Sequence, residues 1–245
     1  MTRQLEPPIC IALDVPDLES ALRSVDALSG MVPVFKVGLE LFTAAGPEAV
    51  RAVRDRGCDV FLDLKINDIP KQAAGAVRSA TEIGVRYITA HGNGGRAMVR
   101  AAVEAADEER ITVLVVSVLT SLDDPDLREI GVDRSAADQV QAMAALAADE
   151  GAPGLVLGAR EVAAVRSSYP DLFLVTPGIR PVTAEVGDQR RIGTPGAAIA
   201  AGADLLVLGR AVTDAPDPAS ALEAITREIA QAKEGRGERQ EVTRA

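Results

Sequence analysis

Short apolar runs alternate with helix-like segments along this chain, and this alternation constrains the fold more than any other feature. Near-continuous apolar runs are typical of strands that are buried on both faces of a parallel sheet. Strands that alternate with helices predict such a sheet. We expect eight strands, over Ile9–Val15, Pro33–Val37, Asp59–Lys65, Tyr87–Ala90, Ile111–Leu119, Gly154–Leu157, Leu172–Val175 and Asp204–Leu208.

Eight repeats over about 230 residues fit an α/β fold of the (β/α)8 TIM-barrel type. We expect one barrel domain over residues 1–233 and a charged, frayed tail over residues 234–245. A doubly wound open sheet is the alternative, but it would normally place a glycine-rich phosphate turn after its first strand. The segment Leu13–Pro16 contains no glycine. Helices are expected over Leu18–Leu28, Leu39–Arg56, Pro70–Ile83, Ala97–Glu108, Ala136–Glu150, Arg160–Ser167 and Pro218–Ala232.

Composition argues against several functional classes. The net charge of −10 argues against a nucleic-acid surface. No apolar run is long enough to span a bilayer, and Met1–Pro8 lacks the apolar core of a signal peptide. The two cysteines, Cys10 and Cys58, are too few for a disulfide framework and suit a reducing compartment. We therefore expect a cytoplasmic protein that binds neither nucleic acid nor membrane.

Three charged residues cluster at the end of the third predicted strand. Asp63 and Lys65 lie two residues apart, so they share one face of the strand. Asp68 follows where the strand gives way to a loop, and Pro70 suits the first turn of the next helix. Burying charge costs free energy unless the charges pair. One Asp and one Lys fit a structural ion pair equally well, but three charges at a strand end favour a functional site.

Polar side chains end nearly every predicted strand, whereas the N-terminal strand ends carry no comparable set. Active sites of (β/α)8 barrels lie at the C-terminal ends of the strands. A shared pocket at that end requires residues from several strands. The polar residues there are Asp14, Lys36, Asp63, Lys65, His91, Ser117, Thr120, Arg180 and Arg210.

Arginines near the last two strands indicate a phosphate site. Phosphate often binds after strands seven and eight of this fold. Gly209 allows close backbone approach to an anion, and Arg210 offers a bidentate fork. Arg180 supplies a second cation, although each arginine taken alone fits a surface turn equally well. The long segment Pro181–Thr194 predicts a lid or binding loop, with a solvated loop as the alternative.

The residues argue against a metal centre. His91 is the only histidine, and metal sites usually need more nitrogen or sulfur ligands. Asp14, Asp63 and Asp68 could hold Mg²⁺, but the lysines among them would compete with the cation. We expect no metal, and we interpret His91 as a structural group.

The motifs named above resemble those of the orotidine 5′-phosphate decarboxylase family, specifically its bacterial branch. The resemblance runs from Ile9 to about Pro218, and its most specific piece is Asp63-x-Lys65-x-x-Asp68-Ile69-Pro70. The further matching motifs, in chain order, are Ala12-Leu13-Asp14, Phe35-Lys36-Val37-Gly38, Leu119-Thr120-Ser121, Thr176-Pro177-Gly178-Ile179-Arg180-Pro181, Gly187-Asp188-Gln189-Arg190-Arg191 and Leu208-Gly209-Arg210.

The resemblance implies decarboxylation of orotidine 5′-monophosphate (OMP) to uridine 5′-monophosphate (UMP), the last step of de novo UMP synthesis, without a cofactor. It implies that Lys65 protonates C6 within a charged network of Lys36, Asp63 and Asp68. It also implies a homodimer in which Asp68 crosses the interface. The implied substrate contacts are Asp14 and Lys36 for the ribose, Thr120 and Ser121 for the pyrimidine, and Gln189, Gly209 and Arg210 for the phosphate, with Arg180 close by.

One departure that bears on a substrate contact, and two alternative functions, accompany this resemblance. Many members of the family carry a threonine that reaches the partner's ribose where this chain has Gln72. Glutamine can still donate a hydrogen bond, but with a different reach. The first alternative is an Mg²⁺-dependent sugar-phosphate decarboxylase or aldolase of the same superfamily, which normally has an acidic residue at the position of Lys36. The second is a non-catalytic nucleotide-binding barrel.

Overall fold

A computed structural model describes residues 5–106, 111–180 and 193–244, with side chains described as far as Glu234. Eight parallel strands close into a barrel in sequence order. The pairing of the first strand with the eighth confirms the predicted (β/α)8 barrel and excludes the open sheet. The strands are β1 (Ile9–Ala12), β2 (Val34–Gly38), β3 (Asp59–Ile66), β4 (Tyr87–His91), β5 (Thr112–Val116), β6 (Gly154–Val156), β7 (Phe173–Thr176) and β8 (Leu205–Leu208).

Helices follow the strands, with a short 3-10 turn at Gly92–Gly94 after β4. No helix within the described residues is long and apolar enough to cross a membrane. The helices are α1 (Leu18–Leu28), α2 (Leu39–Ala45), α3 (Pro47–Arg54), α4 (Pro70–Glu82), α5 (Arg96–Glu104), α6 (Asp124–Glu129), α7 (Ala136–Asp149), α8 (Val162–Ser168), α9 (Pro195–Ala201), α10 (Arg210–Thr213) and α11 (Pro218–Arg244).

The helices differ from the prediction chiefly in three respects. The single helix predicted over Leu39–Arg56 is two helices, because Gly46 adopts a left-handed φ of 60° and Pro47 then starts α3. The short helices α6, α9 and α10 were not predicted. Helix α11 continues to Arg244 rather than ending at Ala232. The division into a domain over residues 1–233 and a frayed tail stays a prediction.

The buried side chains form two layers, one inside the barrel and one between the strands and the helices. Aromatic residues are scarce, but three of them meet inside the barrel. The Tyr87 ring lies edge-on to Phe61, with centroids 6.2 Å apart, and stacks on Phe173 at 5.9 Å. Such pairs add stability beyond the area that they bury. This aromatic layer fills the barrel below the polar strand ends, since Phe61 precedes Asp63 by two residues on β3.

Gly154 of β6 gives a test of how tightly this barrel is packed. A methyl group there would lie 2.7 Å from the Phe173 carbonyl oxygen and 2.6 Å from Leu114 Cδ2. We expect Gly154→Ala to lower the free energy of unfolding by about 1–3 kcal/mol, because overpacking displaces neighbouring groups. Gly30→Ala, with no atom within 4 Å of the added carbon, is the matched control. Urea denaturation measures both variants, and equal stabilities would contradict the packing described.

Candidate active site

The backbone of β3 is irregular where it reaches the C-terminal end of the barrel. Leu62 pairs with Ile88 and Ile66 with Ala90, so residues 63–65 stand opposite Thr89 alone. Within this bulge Lys65 has a φ of 51°, in the left-handed region that few residues other than glycine adopt. Such a conformation costs about 1–3 kcal/mol and persists only where its surroundings hold it. Bulges of this kind re-aim side chains.

Asp63 lies at the centre of a charged cluster that consists of Asp14, Lys36, Asp63 and Lys65. Its side chain is buried, and the residue is only 9% exposed. Its Oδ2 accepts a hydrogen bond from Lys65 Nζ at 2.7 Å and lies 3.8 Å from Lys36 Nζ. Its Oδ1 accepts a hydrogen bond from the Thr89 hydroxyl at 3.0 Å. Both carboxylate oxygens are therefore engaged, as a buried charge requires. The prediction that Asp63 and Lys65 share a strand face agrees with this geometry.

Lys36 of β2 links Asp63 to a second carboxylate. Its Nζ donates a hydrogen bond to Asp14 Oδ1 at 2.8 Å, and the lysine is buried while Asp14 is exposed. Burial alone lowers the pKa of Lys36, but the charges of Asp63 and Asp14 outweigh it and hold the pKa above that of a free lysine. Lys36 is thus a cation at neutral pH, and the cluster alternates in sign.

This cluster forms one wall of a cavity of about 440 Å³, which is within the usual size range of small-molecule sites. Thr120, Arg180, Gly209 and Arg210 line the same cavity from the later strands. The floor includes apolar side chains such as Phe61 and Val207. The strand ends therefore bring together four acidic or basic residues of the first three strands and the two arginines predicted for the phosphate.

Other predicted site residues lie elsewhere. Asp68 is exposed and its Oδ1 accepts the Ile69 N–H at 2.6 Å; the described residues of one chain give it no ion pair. Gln72 and Ser121 are exposed and are not among the cavity-lining residues. Gln189 falls outside the described residues, as does residue range 181–192 of the predicted lid. The two residues that flank this range are hydrogen-bonded to each other, because Arg180 N donates to the Gly193 carbonyl at 3.0 Å.

His91 is the last residue of β4, and the charge of Lys65 acts on it. Its Nδ1 faces the Asn93 N–H at 3.4 Å, so the ring hydrogen of the neutral form is assigned to Nε2. Burial, and after it the charge of Lys65, lowers the pKa of His91. The ring is therefore neutral at pH 7. In the part of the chain that the structure describes, no group of three or more His, Cys, Asp or Glu residues could hold a metal ion.

Two residues at this site were not predicted from the sequence as site residues. Thr89 bonds to Asp63 and accepts the Lys65 backbone N–H at 2.8 Å. The sequence does contain a feature that could have indicated Thr89. It is a polar residue within a buried strand, and it shares a strand face with Tyr87 and His91, each two residues away. Gly38 leaves room for the lysine cluster, since a methyl group there would lie 2.9 Å from Lys36 Nζ.

The fold and the site together define a (β/α)8-barrel protein with a buried lysine–carboxylate centre at the bottom of a cavity edged by arginines. The comparisons with known proteins narrow this class. Residues 7–225 match the Orotidine 5′-phosphate decarboxylase / HUMPS family. The match covers well over half of the chain, so the chain belongs to that family.

Individual relatives agree with the family assignment. The orotidine 5′-phosphate decarboxylase of Thermobifida fusca is 50% identical over 224 residues, which cover 91% of this chain and 95% of the relative. That of Moorella thermoacetica is 47% identical over 234 residues, covering 92% and 93%. The crystal structure of the Lactobacillus acidophilus enzyme superposes with a TM-score of 0.79 at 32% identity, covering 91% of this chain and 98% of that chain.

Gly38 offers a test of how closely the cluster is fitted. The added methyl group of Gly38→Ala would lie 2.9 Å from Lys36 Nζ and 3.1 Å from Asp14 Oδ1. We expect the ammonium to be displaced and the Lys36–Asp14 hydrogen bond to lengthen beyond about 3.2 Å. A crystal structure of the variant measures this distance. Gly75→Ala in α4, with no atom within 4 Å of the new carbon, is the control. An unchanged distance in Gly38→Ala would contradict the fit.

Proposed function

We propose that this chain decarboxylates OMP to UMP and CO2, the last step of de novo UMP synthesis, without a metal or an organic cofactor. The observation that carries the proposal is the Lys65–Asp63 pair, with its 2.7 Å hydrogen bond, facing the cavity beside Lys36. Membership of the family supports the same reaction, since the relatives described above bear its name.

The chemical difficulty is the carbanion that forms at C6 of the pyrimidine. The bond from C6 to the carboxylate breaks with its electron pair left on an sp² carbon, where it cannot delocalise into the ring π system. Lys65 would donate its proton to C6, and the neutral amine would regain a proton from water. No electron sink is involved, so the protein must stabilise the developing charge electrostatically.

The magnitudes show why one lysine is insufficient. At an effective dielectric of about 20, opposite charges ~4 Å apart gain roughly 4 kcal/mol. That corresponds to about three powers of ten in rate. The remainder has to come from preorganisation, which is the role we propose for Asp63 and Lys36. Asp63 would also repel a substrate carboxylate placed beside it, and loss of CO2 would relieve that repulsion.

Lys36 discriminates against the Mg²⁺-dependent alternative. Its ammonium lies 2.8 Å from Asp14 and 3.8 Å from Asp63, between the two carboxylates that a divalent cation would need to bridge. A divalent cation at that position would meet the buried Lys36 ammonium, which is held by a hydrogen bond to Asp14 and an ion pair with Asp63. The geometry therefore favours the decarboxylase over a metal-dependent sugar-phosphate enzyme.

Residues of the cavity wall and beside it are assigned by this proposal to the rest of the nucleotide. We propose that Asp14 and Lys36 bind the ribose hydroxyls and that Thr120 and Ser121 contact the pyrimidine. Arg180, Gly209 and Arg210 would hold the phosphate, together with Gln189. Because the phosphate is remote from C6, its binding energy can drive closure of Pro181–Thr194, which would expel water and assemble the site.

We propose that the active form is a homodimer with Asp68 contributed to the partner's site. Asp68 is exposed within one chain, although it belongs to the same Asp63-x-Lys65-x-x-Asp68 motif as Lys65. Two large apolar side chains beside the strand ends, Leu39 and Ile69, are 55% and 63% exposed and would gain from a partner's cover. Gln72 would then face the partner's ribose.

The compartment is part of the same proposal. Cys10 and Cys58 are both free thiols, as expected of a protein that works in the reducing cytoplasm. UMP synthesis from OMP needs only a small-molecule substrate, so neither nucleic acid nor membrane enters the proposed reaction.

Replacing Lys65 tests the proposed proton donor. We expect Lys65→Ala to lower kcat at least about 10³-fold, because the cation nearest C6 and its proton are lost together. UMP affinity should be retained, since phosphate and ribose contacts remain. The matched control is Lys233→Ala. It removes an ammonium group on α11 that donates a hydrogen bond to Glu6 at the surface. Isothermal calorimetry with UMP and steady-state rates with OMP measure the two effects. Turnover close to that of the unsubstituted protein in Lys65→Ala would refute the assigned role.

Mixing two inactive variants tests the shared site. In a hybrid dimer of Lys65→Ala and Asp68→Asn chains, one site contains both substitutions and the other contains neither. Random exchange makes half of the dimers hybrids, so we expect about a quarter of the activity of the unsubstituted protein, provided the sites act independently. The measurement is OMP turnover after chain exchange in mild denaturant and refolding. Activity no higher than that of the separate variants would place Lys65 and Asp68 of each site on one chain.

A further inference from the structure

We infer that Thr89 is a positioning residue for the proposed decarboxylation, holding the Lys65 backbone and the Asp63 carboxylate in one arrangement. The inference rests on the proposed function. Thr89 lies on β4, is 0% exposed, and faces the inside of the barrel between Tyr87 and His91. Its hydroxyl is used twice. It accepts the Lys65 backbone N–H at 2.8 Å and donates to Asp63 Oδ1 at 3.0 Å.

The strand register explains why the backbone needs this side chain. Regular pairing between β3 and β4 stops at Leu62 and resumes at Ile66, with Thr89 the single residue opposite the intervening three. A bulge disrupts the ladder and leaves backbone groups in need of partners. The Thr89 hydroxyl supplies an acceptor for the Lys65 N–H. It thereby supports the φ of 51° that directs the lysine into the cavity.

The second hydrogen bond divides the work of the Asp63 carboxylate. Oδ1 is occupied by the Thr89 hydroxyl, which leaves Oδ2 for the ammonium groups of Lys65 and Lys36. A carboxylate held at one oxygen cannot rotate freely to offer the other to solvent. The hydroxyl also acts as donor and acceptor at once, and such linked hydrogen bonds strengthen each other.

The residue type fits this role. A β-branched side chain has a restricted χ1 angle, so the hydroxyl direction is set by the strand itself. Valine has the same shape but neither donates nor accepts, whereas serine keeps the hydroxyl and loses only the methyl group. Thr89→Val and Thr89→Ser therefore separate the hydrogen bonds from the packing.

Kinetics of the two variants test the inference. In Thr89→Val we expect kcat for OMP to fall roughly 10- to 100-fold, the loss typical of hydrogen bonds to a charged group. UMP affinity should change less than about threefold, because the proposed phosphate contacts come from the later strands, remote from Asp63 Oδ1. Thr89→Ser should recover most of the rate. Thr112→Val is the control, because it makes the same chemical change at another buried, inward position. Thr112 is at the N-terminal end of β5, away from the cavity, so this variant should keep the original rate.

The contrary kinetic results are equally definite. A Thr89→Val variant that melts at a lower temperature but keeps its kcat would show a purely structural residue. A loss of kcat in Thr89→Ser with an unchanged kcat in Thr89→Val would assign the effect to the methyl group rather than the hydroxyl. Either result would overturn the inference.

A crystal structure of Thr89→Val gives an answer that does not depend on the reaction. We expect Lys65 to leave the left-handed region and its 2.7 Å contact with Asp63 to lengthen. If the unsubstituted protein failed to turn over OMP, the proposed function would be wrong. The crystal structure would still test whether Thr89 holds Lys65 and Asp63 in position. An unchanged Lys65 conformation and contact would contradict the positioning role.

Discussion

A carboxylate buried inside a barrel has to be compensated, and the arrangement of this site follows from how Asp63 is compensated. Two ammonium groups and a hydroxyl surround it, on three neighbouring strands. Each of these groups is buried or partly buried, so their interactions are screened little by salt. Removing one would leave an uncompensated charge, which costs far more than the pair contributes. The same arrangement supplies what decarboxylation requires, a fixed cation facing the cavity.

The barrel supplies the rigidity that this arrangement needs. Parallel strands place every C-terminal end at one rim, so residues far apart in sequence share one cavity. The stacked aromatic side chains below the charges leave little room for the cluster to relax downwards. A glycine within a strand, Gly38, and a bulge at Lys65 are both irregular features of a β-strand. Both lie beside the charged cluster. Local irregularity is thus confined to the place where the chemistry is proposed, as expected when strain is held by its surroundings.

Periodicity predicted the eight strands because buried parallel strands are nearly continuous apolar runs. Alternation along β3 also predicted that Asp63 and Lys65 face the same way. The sequence Gly46–Pro47 is typical of the end of one helix and the start of the next. The prediction of a single helix missed this break, because the apolar pattern continues through it. The role of Thr89 was not predictable, because it depends on a register shift between two strands and on a left-handed φ that no local pattern encodes. Asp68 and Gln72 raise a different problem, since residues proposed to act across an interface have the same exposed appearance in one chain as solvated residues.

The most direct test of the account is conversion of OMP by the purified protein in the presence of excess EDTA, followed by the loss of OMP absorbance and by product analysis. The account predicts stoichiometric UMP and CO2 at a rate that the chelator leaves unchanged. No conversion by the folded protein, together with turnover of a sugar phosphate that appears only when Mg²⁺ is restored, would contradict it.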